Sequence, residues 1–185
     1  NDAIAPNGTM TADLFTKTSA VNTVSTVWQT TITKFLSTGI HTLSVYIKPK
    51  TGNVVLLRMD GSGNTANALF NFTTKTFTNT GVNSVSSTYQ ELPNGWFRLS
   101  LTANVTNIAW AVDVCNLFNN PTGDAMWIWG AQLVTGSSVT NYISTTDRAI
   151  VNGTIGDLTV TRATTATRVN EQGIIEPVPY NLFSY

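Results

Sequence analysis

The sequence predicts an all-β protein built as an antiparallel two-sheet sandwich, and three observations lead there. Apolar residues alternate with polar ones at a period of two, and no stretch sustains a helical period. Gly, Asn and Pro clusters punctuate these runs at short spacing. Thr and Asn carry most of the polarity: Thr suits the pleated surface of a sheet, and Asn suits turns. At 185 residues the chain is long enough for one domain with a substantial core.

The elements follow in order. Between His41 and Ile47, Leu43, Val45 and Ile47 share one face, and Thr42, Ser44 and Tyr46 the other, as in a strand with one buried side. Pro49 and Thr51-Gly52-Asn53 end that run, and Val54–Met59 is the next apolar one. Phe97, Leu99 and Leu101 alternate with Arg98, Ser100 and Thr102. Ile108, Trp110, Val112 and Val114 repeat the pattern, as do Trp127, Trp129, Ala131 and Leu133. Turn clusters lie between: Asp60-Gly61-Ser62-Gly63-Asn64, Pro93-Asn94-Gly95, and Asn119-Asn120-Pro121-Thr122-Gly123-Asp124. About eight to ten strands are expected between Thr9 and Ile143, enough for two packed sheets.

Beyond Ile143 the texture changes. Residues 1–143 read as the sandwich, 144–157 as a polar linker, and 158–185 as a separate small element. In the last, Ala166–Val169 and Ile174–Val178 form an expected hairpin around Asn170-Glu171-Gln172-Gly173. Two strands alone are marginal in water, so this hairpin needs the sandwich or another chain beside it.

Charge narrows the function. Ten basic and ten acidic side chains cancel, and only 11% of residues are charged, against about 25% in an average soluble domain. That argues against nucleic acid, whose affinity rests on clustered Lys and Arg, and against an anionic membrane surface. No apolar run is long enough to insert in a bilayer as a helix. Neutral polar partners such as glycans fit such a surface, and so does packing within a larger particle. Cys115 is the only cysteine, which excludes an internal disulfide, and its apolar run reads as a buried thiol. Four Asn-x-Thr triplets with x other than Pro start at Asn7, Asn71, Asn104 and Asn152, as expected by chance in so Thr-rich a chain.

Several segments together carry a resemblance. They are Ala5–Asp13, Leu43-Ser44-Val45-Tyr46-Ile47-Lys48, Asn94-Gly95-Trp96-Phe97-Arg98-Leu99-Ser100, Ile128-Trp129-Gly130-Ala131-Gln132-Leu133 and Thr140-Asn141-Tyr142-Ile143. In that order over about 140 residues they resemble a module of bacteriophage tail fibres and other virion-surface proteins, similar to jelly-roll carbohydrate-binding, lectin-like sandwiches. Val134 departs from an acidic residue usual in such modules, and Ser144 from a proline. Thr161–Asn170 followed by Gly173-Ile174-Ile175-Glu176 resembles a connector of phage structural proteins, and Tyr180–Tyr185 the opening strand of another module. The resemblance implies a fragment of a tandem or fibrous protein on the virion surface, assembled in the bacterial cytoplasm. The implied partners are other virion subunits, in a homo-oligomer, and a host-surface glycan or receptor. The rival it leaves open is a purely structural capsid-decoration or fibre-shaft module without a ligand.

Aromatic and hydrogen-bonding residues are the candidates for sugar contacts. Trp28 and Tyr46 are the best exposed candidates, and Trp127 could sit at a sheet edge; Trp96, Trp110 and Trp129 read as core. Gln29, Arg58, Asp60, Asn64 and Asn67 offer polar partners, an Arg fork among them, although Asp60–Asn64 also reads simply as a tight turn. No cofactor is expected. A structural calcium near Asp13, Asp113 or Asp124 is possible chemistry, but no EF-hand run of carboxylates is present. Catalysis has little support: His41, the sole histidine, falls on a buried face, and Glu91, Glu171 and Glu176 are the only glutamates.

Overall fold

The computed structural model describes residues 1–18, 20, 26–29, 37–61, 64–106, 111–117, 120–144, 150–151, 154–155, 166–169 and 175–178. At 26–29, 61, 64 and in the strands beyond residue 144 it describes the backbone alone. The chain forms two compact units, Asn1–Tyr142 and Ile143–Tyr185.

The first unit is a two-sheet antiparallel sandwich. Its strands are β1 (Ala3–Ile4), β2 (Met10–Thr16), β3 (Thr26–Gln29), β4 (Gly39–Pro49), β5 (Val54–Gly61) and β6 (Asn64–Asn71). They continue with β7 (Thr76–Thr80), β8 (Ser84–Leu92), β9 (Trp96–Val105), β10 (Ala111–Asn116) and β11 (Ala125–Thr135). One sheet has the order β1-β2-β11-β4-β9-β8 and the other β3-β10-β5-β6-β7. The pairings are nested: β2 lies against β11, β3 against β10, β4 against β9, and β5 against β6. The chain is thus folded as one long hairpin that rolls over itself, with β7 and β8 added at its closed end.

The period-two pattern places the core between the sheets. Leu43, Val45 and Ile47 of β4 and Leu99 and Leu101 of β9 point inward, where they meet Val55, Leu57 and Met59 of β5 and Ala66, Ala68 and Phe70 of β6. Phe70 and Phe97 span the two layers with ring centroids 5.8 Å apart, an edge-inclined geometry that aromatic quadrupoles favour. Cys115 is fully buried in this core, and burial pushes its thiol pKa well above the ordinary range. His41 is also buried, its Nδ1 3.2 Å from the Gly39 carbonyl and its Nε2 3.4 Å from the Thr135 hydroxyl.

Two turns are fixed by backbone chemistry. Pro93–Gly95 forms a single 3-10 turn in which Asn94 and Gly95 take positive φ, 61° and 78°, conformations that Asn and Gly tolerate best. Gly81, φ +95°, crosses from β7 to β8, and a Cβ there would lie 2.2 Å from the Thr65 carbonyl oxygen. Ser84 and Ser87 tie β8 back to β7, donating to the Thr80 carbonyl at 2.7 Å and Asn79 Oδ1 at 2.8 Å.

The second unit contains β12 (Ile150–Val151) paired with β13 (Thr154–Ile155), and β14 (Ala166–Val169) paired with β15 (Ile175–Val178). The C-terminal hairpin therefore forms, its second strand starting at Ile175. The first pair lies within the stretch read from sequence as a linker. The segment Tyr180–Tyr185 lies outside the described residues.

Candidate functional site

Among the described residues, the outer face of the six-stranded sheet gathers most of the aromatic side chains that do not enter the core. A β-bulge decides this. β11 pairs in register with β4 from Met126 to Trp129, then slips before Gln132. The slip falls at Gly130, φ +61°, and one extra residue inverts the alternation. Before it, Met126 and Ile128 face the core while Trp127 and Trp129 face outward; after it, Leu133 faces the core. The sequence pattern that grouped Trp127, Trp129 and Leu133 on one buried face is corrected accordingly. Trp129 is half-buried on the outer face, and Trp127 sits on a strand paired on both sides, not at an edge.

Four aromatic rings form a strip there. Tyr46 faces outward on β4, opposite Trp129, with centroids 5.2 Å apart and planes at 61°. Tyr142 closes on both, 4.4 Å from Trp129 and 6.1 Å from Tyr46. The segment that carries Tyr142 is held by two side chains of the sheet. Arg98 donates to the Thr140 carbonyl at 2.6 Å, and Gln132 Nε2 donates to Thr140 Oγ1 at 2.6 Å and to the Asn141 carbonyl at 3.3 Å. Gly130 has the function of a spacer: a Cβ there would lie 3.0 Å from Tyr46 Cδ2 and 3.2 Å from Tyr142 Cε2.

Cations flank the strip. The Arg98 guanidinium carbon lies 5.1 Å from the Tyr46 ring centroid. Lys48 Nζ and Lys50 Nζ lie 5.5 and 5.3 Å from that of Trp127, within reach of cation–π attraction. The Trp127 indole N–H donates to Asp2 Oδ2 at 3.0 Å. Trp96 is buried, but beneath this outer face with Ala5 and Ala12 and not between the sheets, and its Nε1 donates to the Ile4 carbonyl at 3.3 Å. Between the N-terminal segment and the Pro93–Gly95 turn lies a cleft of about 580 Å³, with Ile4, Pro6, Lys48, Asn94 and Trp96 in its walls.

The sequence candidates divide between the two sheets. Tyr46 and Trp127 belong to the strip. Trp28, Gln29, Arg58, Asp60 and Asn64 lie on the five-stranded sheet, so one ligand on an outer face cannot reach both sets. Across that second sheet the backbone registers Trp28, Asp113, Arg58, Asn67 and Thr80 in one row, and Gln29 pairs with Val112. The side chains of Trp28, Gln29 and Asn64, and Trp110 altogether, lie outside the described residues. The Arg58 guanidinium is engaged through Nη2 by Asp60 on the same strand. Asp60 and Asn64 are strand residues, and Gly61 pairs with Asn64.

Among the described residues no three His, Cys, Asp or Glu side chains gather as a metal site. Asp113 accepts from Asn116 at 3.1 Å and Asp124 from Asn120 at 3.1 Å, while Asp13 is exposed. The buried cation near this end is Lys17, whose Nζ donates to the Leu117 carbonyl at 2.9 Å. Sequence reasoning missed Trp129, Tyr142, Lys48, Lys50 and Arg98. The signal that could have found them was Gly130, a glycine inside an alternating run, which marks a bulge. Comparison with protein-family models and with curated proteins returned no match.

Proposed function

We propose that the chain is a non-catalytic surface module of a bacteriophage particle, in a tail fibre, head fibre or related appendage, and that it binds host-surface carbohydrate. The observation that carries the binding half is the strip of Tyr46, Trp127, Trp129 and Tyr142 on one outer sheet face. All four rings are half-buried, a state in which a side chain is held in place yet keeps accessible surface. Aromatic faces of this kind stack on the apolar side of a pyranose, and the flanking Lys and Arg donors serve hydroxyl groups. The nested strand pairing supports a jelly-roll scaffold, and the resemblance of the matched segments supports the virion. The burial of His41 supports a role without catalysis.

Weak single-site affinity is consistent with a multivalent particle, where effective concentration supplies avidity. The test is a glycan array probed with the whole chain displayed multivalently, beside Trp127→Ala and Trp129→Ala variants and an Arg58→Ala control on the opposite sheet. Binding that the tryptophan variants lose and the control keeps is the expected result. Binding lost only in the control moves the ligand to the five-stranded sheet, and no binding by a folded sample rejects the sugar reading.

A second reading, a purely structural module, is favoured by the β14–β15 pair. A two-stranded ribbon is marginal alone, so it would gain stability by joining a sheet, including one in a neighbouring subunit.

A further inference from the structure

We infer that the sugar recognised on this face is acidic, carrying a carboxylate that the Lys48 ammonium binds at the mouth of the cleft beside Trp96. The inference rests on the carbohydrate-binding reading and names its ligand class.

Charge is scarce in this protein, with ten Lys and Arg in 185 residues, yet Lys48, Lys50 and Arg98 all stand on one strip. Three ion pairs occur among the described residues, and neither Lys48 nor Lys50 takes part in one. Both ammonium groups approach the same Trp127 ring, and among the described residues neither is matched to a carboxylate. The acidic neighbour, Asp2, directs Oδ2 to the indole N–H. An anion beside this ring is attracted by both lysines.

The cleft sets the shape of that anion. Its volume of about 580 Å³ falls in the range of small-ligand sites, and its walls are mainly apolar: Ile4, Pro6, Pro93 and the rim of Trp96. Among the described residues, Lys48 is the only charged one in its wall. A single sugar ring with one carboxylate matches that inventory, with the apolar ring face against Ile4 and Pro93 and the acid group toward Lys48. Asn94, held at positive φ by the 3-10 turn, brings an amide to the same rim for a ring hydroxyl.

The experiment uses the whole chain on an array that pairs each uronate- or sialate-containing glycan with its carboxyl-reduced, neutral counterpart. Expected is at least tenfold weaker binding to the reduced glycan, a similar loss in Lys48→Gln, a smaller one in Lys50→Gln, and a steep fall from 50 to 500 mM NaCl. The glycan comparison uses the unmodified protein, so it does not depend on how a variant folds. Equal binding to acidic and reduced glycans, lost in Trp127→Ala, overturns the carboxylate assignment and leaves the carbohydrate reading standing. A preference for sulfated or phosphorylated glycans over carboxylated ones overturns it too, and absence of binding to every glycan overturns both.

Discussion

Replacing Gly130 by alanine tests whether the aromatic strip is built around that glycine. The substitution has two separable costs. The backbone at φ +61° is left-handed, which costs an alanine about 1–2 kcal/mol. The new Cβ would then sit 3.0 and 3.3 Å from two atoms of the Tyr46 ring and 3.2 Å from Tyr142. Those rings cannot simply swing away, because Tyr46 is bounded by Trp129 and Arg98 and Tyr142 is seated on Trp129. Overpacking of this kind adds about 1–3 kcal/mol. The natural comparator is Gly8→Ala, φ +84°, where a Cβ meets nothing within 4 Å, so that only the backbone term remains. Urea unfolding followed by tryptophan fluorescence should show Gly130→Ala less stable than Gly8→Ala by roughly 1–3 kcal/mol, with an altered near-ultraviolet circular dichroism. Equal stabilities and an unchanged aromatic spectrum would refute the packing of Tyr46 and Tyr142 against this strand.

Other perturbations reach other parts of the fold. Gly81→Ala, which brings a methyl within 2.2 Å of the Thr65 carbonyl oxygen at positive φ, should cost about 3 kcal/mol or more; thermal unfolding reads it, and a loss under 1 kcal/mol contradicts the turn. Leu57→Ala, at a fully buried core position, should cost about 2–5 kcal/mol in the same assay. Cys115 gives a pH signature. Its folded pKa is raised by burial above the ordinary 9.0, so its contribution is full below pH 9 and is lost as the unfolded thiol ionises above it. Between pH 9 and 11 the stability of the native protein should therefore fall by up to about 1.4 kcal/mol per pH unit more steeply than that of Cys115→Ala; parallel slopes in urea titrations would argue against burial. Lys17→Met, which strips the buried Leu117 carbonyl of its charged donor, should lose about 1–3 kcal/mol.

What the sequence disclosed and what it hid follow from one physical distinction. Leu43, Val45, Ile47, Leu99 and Leu101 are buried as their alternation implied, because β4 and β9 pair without interruption over nine residues and nothing disturbs the period of two. The same reasoning failed on β11, where the bulge at Gly130 reversed the faces halfway along. Trp96 is buried as read, in a second, smaller cluster under the N-terminal strand. Which sheet a strand joins depends on contacts between residues far apart in sequence. Tyr46 and Arg58 are twelve positions apart, yet they project from opposite sides of the molecule, and no local pattern reports this.

That separation also bears on how the two proposed roles relate. Arg58 and Asp60 pair with one another on a sheet whose row also carries Trp28, Asn67, Thr80 and the buried Asp113. The opposite face holds Lys48 and Lys50, which form no ion pair among the described residues, beside rings that are half-buried. Burying aromatic area is favourable by about 25 cal/mol per Å², so a strip left half-open forgoes stability that complete covering would supply. Half-buried aromatic groups rimmed by cations are the kind of surface that is retained for a partner. If a neighbouring subunit supplied that cover, its contact would have to neutralise Lys48 and Lys50 while filling a cleft suited to one sugar ring. An acidic glycan meets both demands at once, and a titration of that face by monosaccharide uronate, read by quenching of Trp127, separates the two: saturable quenching abolished in Lys48→Gln supports the glycan, and quenching that tracks only protein concentration supports the subunit.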